Sequence, residues 1–213
     1  MFLLKKLRRI SNEERWNVYT HLASLILSFF GVVYLLFFKN NSLVDFNLGL
    51  TIYSFSLIFL FFCSTFYHYN SDHNKLIWRK LDHIAIYFLI AGTYTPIYLN
   101  FLTNPESEFV LILIWIIAFL GTIYKTFLIN KFESFSLILY LLMGWMVIFD
   151  LGSIIEIFNF RQLFLLFVGG LFYSIGVVFY KMDKLKYNHA IWHVFVFFGS
   201  LSHFFVIANF SYG

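Results

Sequence analysis

The sequence predicts an all-α fold: a seven-transmembrane helix bundle with its N-terminus cytoplasmic and its C-terminus outside. Three observations lead there. Of the 213 residues, 61% are hydrophobic and only 12% are charged, whereas soluble domains run to roughly a quarter charged. Seven segments reach the ~20 mostly apolar residues that a spanning helix needs. The Lys and Arg residues, finally, gather in alternate connections, and that asymmetry sets the orientation. The 31 Phe and 14 Tyr residues fit the same class. An aqueous core does not need so many, while lipid-facing surfaces and interfacial belts use them.

The elements follow in chain order. Span one, near 17–38, comes after a basic segment with Lys5, Lys6, Arg8, Arg9 and Arg15, and holds His21 near its start. There the simplest expectation is an interfacial ring, or a supporting contact if the span packs beside a site. Span two, near 46–68, ends in "CSTFYH". Its Ser64 and His68, four residues apart, share a helical face. Cys63 lies about 140° around the helix from His68, a poor position for a further ligand. As the one cysteine in the chain, it also excludes an intramolecular disulfide framework.

Span three, near 81–101, opens with Asp82 and His83 and contains Pro96. Proline removes a helical hydrogen bond and frees the carbonyl of Gly92, so a kink or local opening is expected there. Thr93, Tyr94 and Thr95 stand ready to satisfy freed groups. Spans four, five and six lie near 109–129, 135–154 and 161–180, with Asp150, Glu156 and Arg161 toward the outer side. Span seven, near 190–210, is entered through "NHAIWH". His189 and His193 are four residues apart on one face, and His203 lies ~15 Å deeper at the helical rise. His73, in a basic loop, is expected to be solvated.

The connections are short, which predicts an up-and-down bundle with sequential neighbours. The second, fourth and sixth connections and their flanks carry Lys75, Arg79, Lys80, Lys125, Lys131, Lys181, Lys184 and Lys186. With the N-terminal group they hold all but Lys39 and Arg161 of the 15 basic residues. By the positive-inside rule that side is cytoplasmic. Without a linker, charge block or short repeat, the chain reads as a single integral membrane domain, 1–213. No cleavable signal peptide is expected, since the first apolar run is long enough to span and no small-residue cleavage site follows it.

Depth then brings distant residues together. His68, Asp82, His189 and His193 all fall at the cytoplasmic ends of their spans. Histidines at such a depth are often amphipathic anchors, and HxxxH by itself is a weak pattern. It is also not the zincin motif, which needs Glu where this chain has Ala190. Ionisable groups within spans are nonetheless functional candidates, and four at one level form a constellation. Three histidines with water in the fourth position is a catalytic zinc arrangement, and Zn²⁺ lowers the pKa of that water toward ~7. Asp82 is the candidate catalytic carboxylate, able to accept the proton or to orient a ligand histidine. Ser64 is placed to donate a hydrogen bond into the site. His83, about 100° from Asp82, reads as a supporting residue.

The motifs "CSTFYH", "RKLDHIAIYFLIAGTYTPIYL" and "HAIWHVFVFFGSLSHFF", with "ERWNVYTHLASLILSFFGVVYLL" near the start, resemble the hemolysin III family of bacterial membrane proteins. That family belongs with the progestin and adipoQ receptors, and more distantly with the alkaline ceramidases. The resemblance implies seven helices with a cytoplasmic N-terminus in the bacterial cytoplasmic membrane. It implies Zn²⁺ held by His68, His189 and His193, with Asp82 reaching the metal through water and Ser64 as the serine of the SxxxH pattern. It also implies a role in membrane lipid homeostasis.

Three functions follow as expectations. The first is a zinc-dependent hydrolase acting on a lipid amide or ester, with membrane lipids as its partners and no nucleic acid. The second is a non-enzymatic regulator of lipid homeostasis whose zinc is structural, although structural sites are usually closed by four protein ligands. The third is a lytic protein, as the family name suggests, against which the scarcity of charge in the middles of the spans counts.

Overall fold

The structure, a computed structural model, describes residues 10–39, 47–71, 74–102, 104–129, 131 and 133–210. Within them seven helices are long and apolar enough to cross a membrane. The first span is α1 (Asn12–Tyr34), ending in a π-helical turn at Leu35–Lys39. The next three are α2 (Leu48–Tyr69), α3 (Lys75–Phe101) and α4 (Pro105–Leu128). The fifth span is composite. It runs from α5 (Glu133–Gly144) through a 3₁₀ turn (Met146–Asp150) into α6 (Leu151–Ile157). The sixth and seventh are α7 (Phe160–Tyr180) and α8 (Asn188–Ala208). His73 and the four basic residues before Ile10 lie outside the described residues.

Several helices begin earlier than hydropathy implies, and the caps explain why. The Ser11 side chain accepts from Glu14 N at 3.2 Å, so α1 starts at Asn12 and includes Glu13, Glu14 and Arg15. Asn104 accepts from Ser107 N at 2.8 Å ahead of Pro105, a favoured first helical residue. Asn47 caps α2 through Leu50 N, and Asn159 shares a reciprocal capping box with Gln162. Hydropathy marks the stretch that lipid covers, whereas a cap marks where the backbone turns helical.

Sequential helices are neighbours, as expected, with α2 against α3 and α7 against α8 the most extensive pairs. Helix α1 also packs on α8, and α3 touches α2, α4, α5 and α8, so α3 stands inside the ring. Close approach of α2 and α3 rests on Gly49, where a Cβ would lie 2.7 Å from the Pro96 Cα. The surface is apolar, with Phe149 80% and Phe160 83% exposed. The buried face of α1, by contrast, carries Asn17, His21, Ser24 and Ser28. Lipid takes the apolar side of such a helix, and its polar side turns inward.

The helical backbone is not interrupted at Pro96. Helix α3 continues through Pro96 to Phe101, and the Thr93 and Thr95 hydroxyls bond Leu89 O and Ala91 O, both at 2.7 Å. The interrupted span is the fifth, which contains no proline. Tyr94 closes that interruption: its hydroxyl reaches Gly144 O at 2.9 Å and Met143 O at 3.1 Å, and accepts from Val147 N at 3.0 Å. Broken backbone at membrane depth is tolerated when protein groups satisfy it in this way.

Candidate metal centre

The site forms where the first turns of α1, α3 and α8 meet the last turn of α2. His68 ends α2, and His189 and His193 occupy the opening turns of α8, where the four-residue spacing aligns them. The ring centroids of His189 and His193 are 4.6 Å apart, and each lies 5.0 Å from that of His68. The rings of His68, His189 and His193 thus lie side by side in the fold.

His21 joins them. It is buried rather than interfacial, with its ring centroid 3.7 Å from that of His193 and 5.8 Å from that of His68. One ligand nitrogen each from His21, His68 and His193 lies within 4.8 Å of the other two, a group able to hold a metal ion. His189 stands outside that triple, half-buried beside it. The signal for His21 was present in the sequence: Glu14, Asn17, His21, Ser24 and Ser28 recur at three- and four-residue steps, a polar stripe along one helical face.

The outer nitrogens of two rings are already engaged. His68 Nδ1 donates to Glu14 Oε2 at 2.7 Å, and the same carboxylate receives Lys75 Nζ at 2.8 Å and Asn17 Nδ2 at 3.2 Å. Thr20 Oγ1 lies 3.0 Å from the carbonyls of Trp16 and Asn17 and 3.2 Å from His193 Nδ1. A proton on His68 Nδ1 leaves its Nε2 with a lone pair, and a proton on His193 Nδ1 would do the same there. Those two Nε2 atoms, and Nδ1 of His21, are buried without a hydrogen-bond partner among the described residues. Buried polar atoms are ordinarily satisfied. A divalent cation fits this donor set, since neutral imidazoles backed by a carboxylate or other polar group are the usual metal-ligand pattern.

Asp82 and Ser64 are hydrogen-bonded to each other and buried. The other Asp82 oxygen lies 3.4 Å from His83 Nδ1, which also reaches Arg79 O at 2.9 Å. Cys63 is buried and takes no part in the histidine group. Asp150 is bonded to Ser107 at 2.5 Å near the far ends of their spans.

Asp82, Ser64 and His21 face a cavity of about 940 Å³, counting the space where it opens to the surface. Its walls are mostly apolar, with Leu60, Ile90, Leu141 and Val196 among them. Toward its far end lie Tyr173, Ser174 and His203. His203 both lines the cavity and bonds Leu166 O at 3.2 Å.

The family model described as "Haemolysin-III related" matches residues 9–204. Hemolysin-3 of Bacillus cereus is 35% identical over 207 residues, 96% of this chain and 94% of the relative. The Hemolysin-3 homolog of Bacillus subtilis (strain 168) is 36% identical over 198 residues, 92% of each chain. The human monocyte to macrophage differentiation factor is 31% identical over 169 residues, 76% of this chain and 69% of the relative. With seven helices able to span a bilayer and these matches along nearly its whole length, the chain is an integral membrane protein that belongs to the hemolysin III family.

Proposed function

We propose that this protein is a zinc-dependent membrane hydrolase that cleaves a lipid amide or ester at the histidine centre. One observation supports this most: buried, partnerless imidazole nitrogens stand beside an apolar cavity whose wall also presents Asp82 and Ser64. His68 and His193 belong to every ligand set the site offers. The third nitrogen comes from His189, as the HxxxH pairing and the family resemblance imply, or from His21, which has a nitrogen within 4.8 Å of one from each of the other two. A zinc ion there supplies Lewis acidity and a water acidic enough to ionise near neutral pH.

The protein's own groups do the rest. Glu14 and Thr20 hold His68 and His193 in the tautomer that turns Nε2 inward. Asp82 takes a proton from water at one carboxylate oxygen and returns it to the leaving group, while Ser64 holds the carboxylate in place. The apolar cavity receives an acyl chain and excludes water from its length. The excess of Lys and Arg at the histidine end supports a cytoplasmic site and N-terminus, in the cytoplasmic membrane of a bacterium.

The test is metal content by elemental mass spectrometry, paired with lipid-amide turnover, on purified protein. About one zinc per chain is expected in the wild type by the three-histidine rule, with loss in His68→Ala and in His193→Ala. Asp82→Ala should keep the metal and lose turnover. Because the histidines come from three helices, a purely structural ion that ties those helices together is the second reading. Retained function in Asp82→Ala would establish it, and a wild type without stoichiometric metal would remove both.

A further inference from the structure

One histidine of the apolar cavity has no part in the metal centre. His203 lines that cavity from α8, ten residues beyond His193, and so lies ~15 Å deeper at the helical rise. Ionisable groups at such depth in a span are functional candidates by default. Asp82, Ser64 and His21 line the same cavity, so one space joins the histidine centre to His203.

The ring of His203 is held from one side. Its Nε2 lies 3.2 Å from Leu166 O on α7, and because a carbonyl only accepts, Nε2 carries the proton. A Cβ at Gly169 would meet both Cδ2 and Nε2 of this ring at 2.4 Å, so the ring is seated on α7 where glycine leaves it room. In the neutral ring that bond leaves a lone pair on Nδ1, and Nδ1 has no hydrogen bond among the described residues. Its polar neighbours in the wall are engaged. Tyr173 Oη and Ser200 Oγ are 2.8 Å apart, and Ser174 Oγ donates to Gly170 O at 2.8 Å while accepting from Trp145 Nε1 at 3.0 Å. His203 Nδ1 is thus an unmet acceptor at the far end of a mostly apolar space, where an unpaired polar atom is costly.

We propose that the cavity takes an acyl chain hydroxylated about twelve bonds from its carbonyl, with that hydroxyl donating to His203 Nδ1. The position follows from length. An extended chain advances ~1.2 Å per bond, as extended backbone does, so the ~15 Å from His193 to His203 takes about twelve bonds. The inference rests on the hydrolase reading for the place of the carbonyl, beside Asp82. A plain methylene chain leaves Nδ1 unpaired, whereas a hydroxyl at that depth satisfies it. The substrate class is accordingly an amide or ester of a mid-chain hydroxy fatty acid, and His203 is the residue that selects it.

The experiment uses the full-length, metal-loaded protein in detergent and three neutral probes without a cleavable bond: 1-octadecanol, 1,12-octadecanediol and 1,18-octadecanediol. Each diol competes with the plain alcohol at equal concentration. The lipid retained by the protein is then extracted and quantified by mass spectrometry, relative to protein-free micelles. The 1,12-diol should be retained about fivefold over octadecanol, as one neutral hydrogen bond in a sheltered site provides. The 1,18-diol carries its second hydroxyl past His203 and should be retained no better than octadecanol. His203→Leu should bring the 1,12-diol preference below about twofold with zinc content unchanged. Tyr173→Phe leaves Nδ1 in place and should keep the preference. Should His203→Leu fail to fold, the comparison of the two diols on the wild type carries the test.

Equal retention of all three probes would overturn the proposal and leave water as the partner of Nδ1. A 1,18-diol preference equal to that of the 1,12-diol, or a preference that survives His203→Leu, would overturn it as well. Because these probes have no bond to hydrolyse, a 1,12-diol preference without turnover of lipid amides counts against the hydrolase reading alone. Turnover of stearoyl and 12-hydroxystearoyl amides alike, without that preference, counts against the role of His203 alone.

Discussion

Glu14→Gln tests whether the carboxylate behind His68 tunes the proposed metal centre. The contact from His68 Nδ1 to Glu14 Oε2 is 2.7 Å, in the charge-assisted range. The His68 side chain is 3% exposed and that of Glu14 27%. Glutamine keeps the length and an acceptor oxygen but removes the charge that makes the imidazole a stronger donor to metal. Losing such an outer partner typically costs 10–100-fold in metal affinity, and partial exposure of Glu14 places this case near about tenfold, or ~1.4 kcal/mol. The assay is competition for zinc against a chromophoric chelator, with the purified protein at fixed pH and salt. Lys75→Met is the control. It leaves the His68 contact in place and removes an ion pair whose lysine is 37% exposed, a pair worth about 0–1 kcal/mol, so affinity should stay within about threefold. If Glu14→Gln binds zinc within about twofold of wild type while His68→Ala binds none, Glu14 does not tune His68 and the reasoning fails.

Other substitutions probe neighbouring links. Thr20→Val removes a neutral 3.2 Å contact to His193 and should weaken zinc binding by about 0.5–1.5 kcal/mol in the same competition assay. His21→Ala and His189→Ala, compared by zinc stoichiometry, identify the third ligand: that variant loses the ion and the other keeps it. Tyr94→Phe strips the hydroxyl that satisfies Val147 N and Gly144 O. It should destabilise the bundle by about 1–3 kcal/mol, read from unfolding in mixed detergent. Gly49→Ala drives a Cβ to within 2.7 Å of the Pro96 backbone and should cost about 1–3 kcal/mol in the same unfolding assay. An unchanged midpoint there would mean that α2 and α3 separate freely.

The number of spans, the helical class and the family were legible along the chain. Transfer into a bilayer is close to a sum over consecutive residues, so apolar length announces a span without knowledge of its neighbours. The HxxxH pair and the SxxxH serine were legible for a related reason, because four-residue spacing fixes a shared face within one helix. Asp82 could be matched to them by depth alone.

What hydropathy does not carry is the rotation of each helix about its axis, and that rotation is set by packing between helices. It turns the polar stripe of α1 inward and brings His21 to 3.7 Å from His193. It buries Lys125, which the chain alone presents as one more topological cation. The same packing places irregular backbone in the fifth span, where the Tyr94 hydroxyl reaches across from the neighbouring helix to hold it. It also forms two adjoining cavities that share Asp82 in their walls. Residues far apart in sequence share those walls, so only the tertiary structure decides which of them face one another.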